Sequence, residues 1–286
     1  MNSVSDLTLW KAVLLGLVQG LTEFLPISSS GHLVLFQNIF GMKDPMISFD
    51  IALHAGTLIA VMVYFWGEIM ETLTGFYGFL QGKKEMGCCE KNLDGRATHV
   101  SPLLWIYILI TLIPTGLMAV GFRKGIESAF ADLRIVAVCW LVMGCALVLS
   151  GKFGKGTRLM SEMGWRRALG IGAAQAVALF PGISRSGSTI LAGMATGLKS
   201  DEAAKFSFLI YIPAIAGAIV LDLKDGLTYF RYCGWETLIG FLSAAVSGYF
   251  VIRWLMAIIK KARFFIFGYY CVALGGILLF HLLMSR

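Results

Sequence analysis

Charge is what this sequence has least of. Only 14% of its 286 residues are Asp, Glu, Lys or Arg, where a soluble domain carries about 25%. With 57% hydrophobic residues and a mean hydropathy of +0.77, no long stretch has soluble composition. A soluble enzyme and a nucleic-acid binder are thereby excluded, and a polytopic membrane protein is expected. The net charge of +7 then reads as topology signal and contact with anionic lipid. A cleavable leader is also missing: Asp6 precedes the first apolar run and no small-residue cleavage site follows, so that run is expected to be retained. The six cysteines lack metal-ligand spacing. Cys139, Cys145 and Cys271 fall in apolar runs as small hydrophobes, Cys88 and Cys89 are adjacent, and Cys233 stands apart.

Against this background one stretch is out of place. Gln19 to His32, QGLTEFLPISSSGH, puts a carboxylate, three serines and a histidine between two apolar runs and breaks them with Pro26. An ionisable group inside an apolar span is costly and marks function. A second stretch, Gln175 to Thr189, QAVALFPGISRSGST, answers it. At a constant offset of 156, Gly16–Gly31 and Gly172–Gly187 share seven of sixteen residues: Gly16/Gly172, Gln19/Gln175, Phe24/Phe180, Ile27/Ile183, Ser28/Ser184, Ser30/Ser186 and Gly31/Gly187. The chain reads as a single membrane domain, 1–286, of two related halves, about 1–150 and 151–286, whose polar breaks meet in one site.

The apolar segments support this. They fall near 8–25, 28–40, 47–66, 102–121 and 133–150, and again near 166–180, 184–198, 205–222, 236–256 and 264–283. A full span needs about 20 apolar residues. The second segment of each half is too short and too rich in Gly and Ser, and it follows the first across a Pro-Ser break. Each such pair reads as a re-entrant hairpin, because broken backbone at membrane depth is tolerated only inside protein or against a polar cavity. Three crossings then remain per half, and an odd number inverts the second half. The expected fold is all-α, with two inverted-topology repeats, six full transmembrane helices and two re-entrant helix hairpins. The basic residues Lys83, Lys84, Lys91, Arg96, Lys152, Lys155, Arg158, Arg166, Arg167, Lys199, Lys260, Lys261 and Arg263 gather on one face, with loop Gly67–Ser101 among its connections. Lys43, Arg123, Lys124, Lys224, Arg231 and Arg286 fall on the other. The positive-inside rule places both termini outside and the basic loops in the cytoplasm.

Pro26 cannot continue the incoming helix, and Ser28, Ser29 and Ser30 suit the start of the outgoing one. Its free N–H groups and positive dipole end make an anion site. Pro181-Gly182 and Ser184 repeat the device and add Arg185, whose fork matches phosphate oxygens. The ligand expected is a phosphate or diphosphate. Gln19 and Glu23 share one helix face, as do Ser29 and His32. A serine within reach of a histidine is the pattern of a hydroxyl nucleophile with its base. Glu23 would orient His32 or hold a divalent cation, magnesium or calcium, that bridges phosphate oxygens. Gln19 and Gln175 read as supporting packing hydrogen bonds, and Gly16, Gly20, Gly170 and Gly172 as points of close helix approach. His54, near Asp50 in an apolar run, reads chiefly as a packing residue.

At these residues the sequence resembles the undecaprenyl-diphosphate phosphatases of the bacitracin-resistance type. QGLTEFLPISSSGH is similar to that family's [E/Q]xxxE and PxSSxGH signature, and PGISRSGST to its PGxSRSxxT. The resemblance covers essentially the whole chain, including KFSFLIYIP after the second motif. It implies hydrolysis of a C55 isoprenyl diphosphate to the monophosphate and inorganic phosphate, recycling the lipid carrier of cell-wall synthesis. It also implies a bacterial inner membrane and no nucleic-acid partner. The partners expected are a polyprenyl diphosphate and membrane lipids; association of further copies of the chain is left open. By the same resemblance Glu23 matches the second acid of the motif, Ser29 the nucleophile, His32 the essential histidine and Arg185 the phosphate-binding arginine. The phosphate cradle is expected from Ser28, Ser30 and Gly31 with Ser184, Ser186, Gly187 and Thr189. Gln19 stands where many members have Glu, which weakens a scheme with two carboxylates on a metal. Whether Ser29 or His32 attacks phosphorus stays open; attack by Ser29 with His32 as base is preferred. The rival expectation is a transporter or flippase of phosphorylated polyprenyl lipid, which would use the same helix N-termini and Arg185. An enzyme is favoured because Glu23, Ser29 and His32 sit in the first half only; Leu179, Arg185 and Ser188 stand at the matching positions of the second.

Overall fold

In hydrocarbon every backbone N–H and C=O must find its partner inside the protein, and a helix does so segment by segment. The computed structural model describes residues 7–42, 46–81, 103–152, 156–230, 234–259 and 264–285, and it is helical wherever the sequence is apolar. Twelve α-helices are formed by these residues: α1 Leu9–Thr22, α2 Ser29–Ile39, α3 Ile47–Tyr64, α4 Trp66–Leu80, α5 Leu104–Gly121, α6 Arg123–Phe130, α7 Leu133–Ser150, α8 Trp165–Val177, α9 Arg185–Ala195, α10 Ser200–Phe230, α11 Trp235–Ile259 and α12 Ile266–Met284. No strand occurs among the described residues; one isolated bridge pairs Arg158 with Leu198.

Five helices are long and apolar enough to cross a membrane: α5, α7, the first two thirds of α10, α11 and α12. A sixth crossing is counted if α3 and α4, bent by 77° at their junction, are one span. The chain is a multi-pass membrane protein. Helices α1 and α8 have 14 and 13 residues, and α2 and α9 have 11 each. At 1.5 Å per residue these reach about 16–21 Å, short of a hydrocarbon core of about 30 Å.

The structure departs from the sequence reading in three places. The expected loop Gly67–Ser101 begins as helix α4, because Ile69, Leu73 and Phe76 keep an apolar stripe beside Glu68 and Glu71 after the chain breaks at Phe65. A short helix, α6, fills the connection after α5. The segment expected at 205–222 begins earlier and runs on as α10 to Phe230. Lys43, Lys83, Lys84, Cys88, Cys89, Lys91, Arg96, Lys155, Arg231, Cys233, Lys260, Lys261, Arg263 and Arg286 lie outside the described residues.

Helix α1 packs along α11, α8 along α5, α11 along α3, and α7 along α12. Lipid offers no hydrophobic gain to helix association, so close backbone approach through small residues takes its place. A Cβ at Gly16 would run into the α11 backbone at Gly240, and one at Gly172 into the α5 backbone at Thr111. The α7–α12 crossing is equally tight. A Cβ at Gly144 would lie 2.8 Å from the Gly268 carbonyl, and one at Gly268 2.7 Å from the Gly144 carbonyl. Around this frame α5 and α12 present Leu117, Val120, Ile277 and Phe280, all well exposed, to the lipid. The interior holds Phe24, Phe65, Phe208 and Tyr211 as one aromatic cluster at the end of α1.

Gly144→Val should therefore wedge α7 from α12 and cost about 1–3 kcal/mol. Gly276→Ala in α12, where nothing lies within 4 Å of the added Cβ, should change stability by no more than about 0.5 kcal/mol. Thermal unfolding of the purified variants in detergent measures both.

Candidate functional site

The hairpin α1–α2 turns through 23–28; the carbonyls of Leu25, Pro26 and Ile27 lie outside regular helix, and that of Ser28 takes the first backbone bond of α2, from His32 N at 3.3 Å. Each finds a side chain. Ser184 and Ser186 hydroxyls donate to Leu25 O at 3.3 and 3.1 Å. Cys271 Sγ lies 3.7 Å from Pro26 O. Trp140 Nε1 donates to Ile27 O at 2.9 Å, and His32 Nδ1 to Ser28 O at 2.7 Å. Broken backbone buried in a membrane protein is tolerable because Ser184, Ser186, Cys271, Trp140 and His32 meet these carbonyls.

The two tips are also capped alike. Ser28 Oγ accepts from Gly31 N at 3.3 Å, and Ser184 Oγ accepts from Gly187 N at 3.1 Å. Ser28 Oγ accepts in addition from Gly182 N of the opposite tip, at 3.1 Å. This bridge needs an unusual backbone: Ser28 has φ +67°, the single positive value at a non-glycine among the described residues, a conformation that costs about 1–2 kcal/mol. Gly182, at φ +96°, passes so close to α7 that a Cβ would meet Val136 O at 2.6 Å.

Glu23 stands at the centre. One carboxylate oxygen, Oε1, accepts from Arg185 Nη2 at 2.6 Å. The other, Oε2, accepts from Gln19 Nε2 at 2.9 Å and from the Ser29 hydroxyl in a short hydrogen bond. The Arg185 guanidinium lies over the Tyr211 ring, 4.0 Å from its centre, and its Nη1 is buried with no protein partner. Glu23, Ser28, Ser29, Ser30, Gln175, Ser184 and Arg185 line a cavity of about 310 Å³. Its floor is polar. Its walls are Ile51 of α3, Leu179 and Ile183 of the second tip, and Ile215 and Ile219 of α10.

The expected residues divide here. Glu23, Ser29 and Arg185 come together as the sequence implied, and Ser28, Ser30 and Ser184 lie beside them. His32 does not join them. Its Nδ1–H is held by Ser28 O, its Nε2 accepts from Tyr270 OH at 2.8 Å, and its ring stacks on Tyr270 and meets Trp140 edge-on. The expected Ser29–His32 pair is not formed. A helical side chain leans toward its own N-terminus, so the ring falls back over the preceding turn and satisfies a carbonyl there. Ser186 and Thr189 also face away from the cavity. Ser186 donates to Leu25 O, while Thr189 donates to Arg185 O at 2.9 Å and contacts Ser207 Oγ at 2.6 Å. Gly31 and Gly187 act as spacers: a Cβ on Gly31 would press on Trp140 at 3.0 Å, and one on Gly187 on Met143 at 2.6 Å.

The residue that spacing underrated is His54. It lines the cavity, and its Nε2 is 3.5 Å from Glu23 Oε2. Its signal was present: Asp50, His54 and Thr57 place three polar side chains on one face of an otherwise apolar helix. Thr57 ties this face to α10 through Tyr211 OH at 2.8 Å.

The divalent cation expected at Glu23 meets poor support in the donor set. Both carboxylate oxygens are engaged, one by a guanidinium, and the described residues hold no group of three His, Cys, Asp or Glu arranged for a metal. The side chains present do not fit a preformed cation site.

Fold and cavity together define a class: a multi-pass membrane protein with a buried, charge-compensated polar site that opens between apolar walls. The family described as Bacitracin resistance protein BacA matches residues 12–277, and the chain belongs to that family. It is 39% identical over 269 residues to a protein of Halothermothrix orenii named undecaprenyl-diphosphatase, covering 93% of this chain and 95% of that one. Proteins of the same name from Methanobrevibacter smithii and Caldicellulosiruptor bescii are 40% and 39% identical. The first match covers 93% of this chain and 94% of the relative; the second covers 98% and 100%.

The Glu23–Arg185 pair joins the two tips and is nearly sealed from solvent, with side chains 5% and 15% exposed. Removing one partner of such a pair costs about 3–5 kcal/mol. Arg185→Ala should therefore destabilise by that order, and Glu23→Gln added to it should recover part of the loss. A double-mutant cycle in thermal unfolding should give a coupling of more than about 1 kcal/mol.

Proposed function

We propose that this chain hydrolyses undecaprenyl diphosphate to undecaprenyl monophosphate and inorganic phosphate. The observation that carries the reading is one cavity lined by Glu23, Ser29 and Arg185, with the Ser29 hydroxyl donating to Glu23 and Arg185 Nη1 buried beside it without a partner. Ser29 is the nucleophile, and Glu23 receives its proton as the hydroxyl attacks the terminal phosphorus. Arg185 Nη1 and the first-turn N–H groups of α2 and α9 bind the equatorial oxygens as charge develops there. His32 holds the tip in shape through Ser28 O. The prenyl tail leaves the cavity along Ile51, Leu179, Ile215 and Ile219 toward lipid. A divalent cation, magnesium or calcium, would arrive on the oxygens of the diphosphate itself. The carrier alternative lacks comparable support, since the nucleophile and its carboxylate sit on one hairpin only and the relatives bear an enzyme's name.

The same reading includes the architecture. The offset of 156 relates Gly16 to Gly172, which both meet a neighbouring helix backbone, and the cap Ser28 to the cap Ser184. The packing of α1 on α11 is matched by that of α8 on α5. These correspondences support two inverted repeats, about 1–150 and 151–286, in one membrane domain with six crossings and two re-entrant hairpins. The protein would lie in the plasma membrane, the inner membrane of a bacterium, with both termini outside and the basic loops in the cytoplasm.

Phosphate release from C55 diphosphate by purified protein tests this directly, with and without chelator and added magnesium or calcium. Wild type should be active. Ser29→Ala should lose at least about a thousandfold in kcat, and Arg185→Lys, which keeps the charge but not the second N–H, should raise KM by about tenfold or more. A folded wild type inactive in every condition would sink the reading.

A further inference from the structure

A proton taken by Glu23 has to leave it, and most of its neighbours cannot carry one away. Gln19 is a neutral amide, Arg185 is a permanent cation, and His32 is turned to Ser28 O and Tyr270. His54 remains. Its Nδ1 lies 2.7 Å from the backbone carbonyl of Asp50. A carbonyl only accepts, so Nδ1 carries the hydrogen, and in the neutral ring Nε2 then presents a lone pair. That lone pair faces Glu23 Oε2 at 3.5 Å, the same oxygen that holds the Ser29 hydroxyl. Both side chains line the cavity, but that of His54 is 22% exposed where that of Glu23 is 5%, so His54 is the more open of the two to it.

We propose that His54 is a further catalytic residue of this site: the proton carrier between Glu23 and the cavity. The proposal rests on Ser29 as nucleophile, as argued above. At rest the Glu23–His54 contact is too long for a settled hydrogen bond. As Ser29 Oγ bonds to the terminal phosphorus, its O–H bond breaks and the proton passes to Glu23 Oε2. The bond from that phosphorus to the bridging oxygen breaks, and its electron pair leaves with the lipid monophosphate. Glu23 Oε2–H is now a donor aimed at His54 Nε2, which takes the proton and releases it to water in the cavity. Water then cleaves the phosphoserine. One of its protons returns to Ser29 Oγ through Glu23 and the other stays on inorganic phosphate. One proton is exported per turnover, which matches the overall hydrolysis. The ionisable groups around His54 are Glu23 from the first tip, Arg185 from the second, Tyr211 from α10 and Asp50 on its own helix; Asp50 is held by Gln37 Nε2 at 2.7 Å.

Chemical rescue supplies the decisive test, because His54 lines the cavity and a small base in the medium can take its place there. Phosphate release from C55 diphosphate is measured for wild type, His54→Gln, His54→Ala with and without added imidazole, and Ser29→Ala, each checked by thermal unfolding. His54→Gln should lose about a hundredfold in kcat with KM within about threefold, the range of a lost acid–base group. Imidazole should restore the kcat of His54→Ala at least about tenfold, which a merely structural loss would not allow. His54→Gln within about threefold of wild type in kcat overturns the proposal. So does a loss in folded His54→Ala that imidazole leaves untouched. If His54→Gln does not fold, His54→Asn is judged by the same loss in kcat. An active Ser29→Ala removes the nucleophile reading and this proposal with it; an inactive Ser29→Ala beside a fully active His54→Gln removes the proposal alone.

Discussion

Glu23 is a carboxylate in a medium that charges roughly 3 kcal/mol or more for an ionised side chain at its centre, and much of the site follows from making it tolerable. One oxygen takes the Arg185 guanidinium, the other the Gln19 amide and the Ser29 hydroxyl. Arg185 can reach it only if α9 starts opposite the end of α1, so the ion pair fixes the distance between the two tips. That constraint leaves Nη1 of the same guanidinium free. Under the function proposed above, a fork with one prong anchored and one unpartnered is the group that would meet the oxyanion. Compensation of Glu23 and readiness for an anionic ligand would then be one arrangement.

A second constraint sits behind the first. The carbonyls of Leu25, Pro26 and Ile27 take no helical backbone bond, and an apolar surrounding would leave them bare. Ser184, Ser186, Cys271, Trp140 and His32 cover Leu25, Pro26, Ile27 and Ser28 in succession. Four of these five side chains could be mistaken for site chemistry in a linear reading, yet they act on backbone. The consequence for Ser29 is positional: its neighbour Ser28 is locked at φ +67° by bonds on both its carbonyl and its hydroxyl. Ser29 therefore meets Glu23 from the first residue of α2 with little freedom to turn away.

How much of this was legible in sequence depends on the kind of signal. The two breaks and their offset were readable, because an ionisable residue in an apolar run stands out; the direct pairing of Glu23 with Arg185 was not, since Glu23 was read toward His32 or a cation and Arg185 toward phosphate. Ser29 was singled out by its helical spacing to His32 and by the family resemblance. The partner of Ser29 was not readable. Spacing of three suggested His32, but spacing fixes only which helix face a side chain leaves from. Here the ring leans back onto its own turn while the serine turns to a residue six positions earlier. His54 was missed for a related reason. It lies 31 positions from Glu23 (54 minus 23), on another helix, and only its polar face shared with Asp50 and Thr57 hints at a neighbour. Helix α4 was hidden by its charges, Glu68 and Glu71, which suit a helix lying across the bend as well as a loop.

The offset of 156 also explains why the two hairpins had to diverge. At matched positions Glu23 faces Leu179 and Ser29 faces Arg185, while Ser28/Ser184, Ser30/Ser186 and Gly31/Gly187 stay the same. The conserved set makes caps and close contacts, which both tips need equally. The divergent set is the charged one. Glu23 and Arg185 do not stand at matched positions, so two identical tips carrying both would form two crossed pairs; the structure holds one such pair, its carboxylate on the first tip and its guanidinium on the second. What cannot be shared is the position of Ser29 and Arg185, which match each other: one tip holds a hydroxyl there and the other a guanidinium. Under the function proposed above, a nucleophile and a phosphate binder are both wanted at that one position, and only unlike halves can supply them.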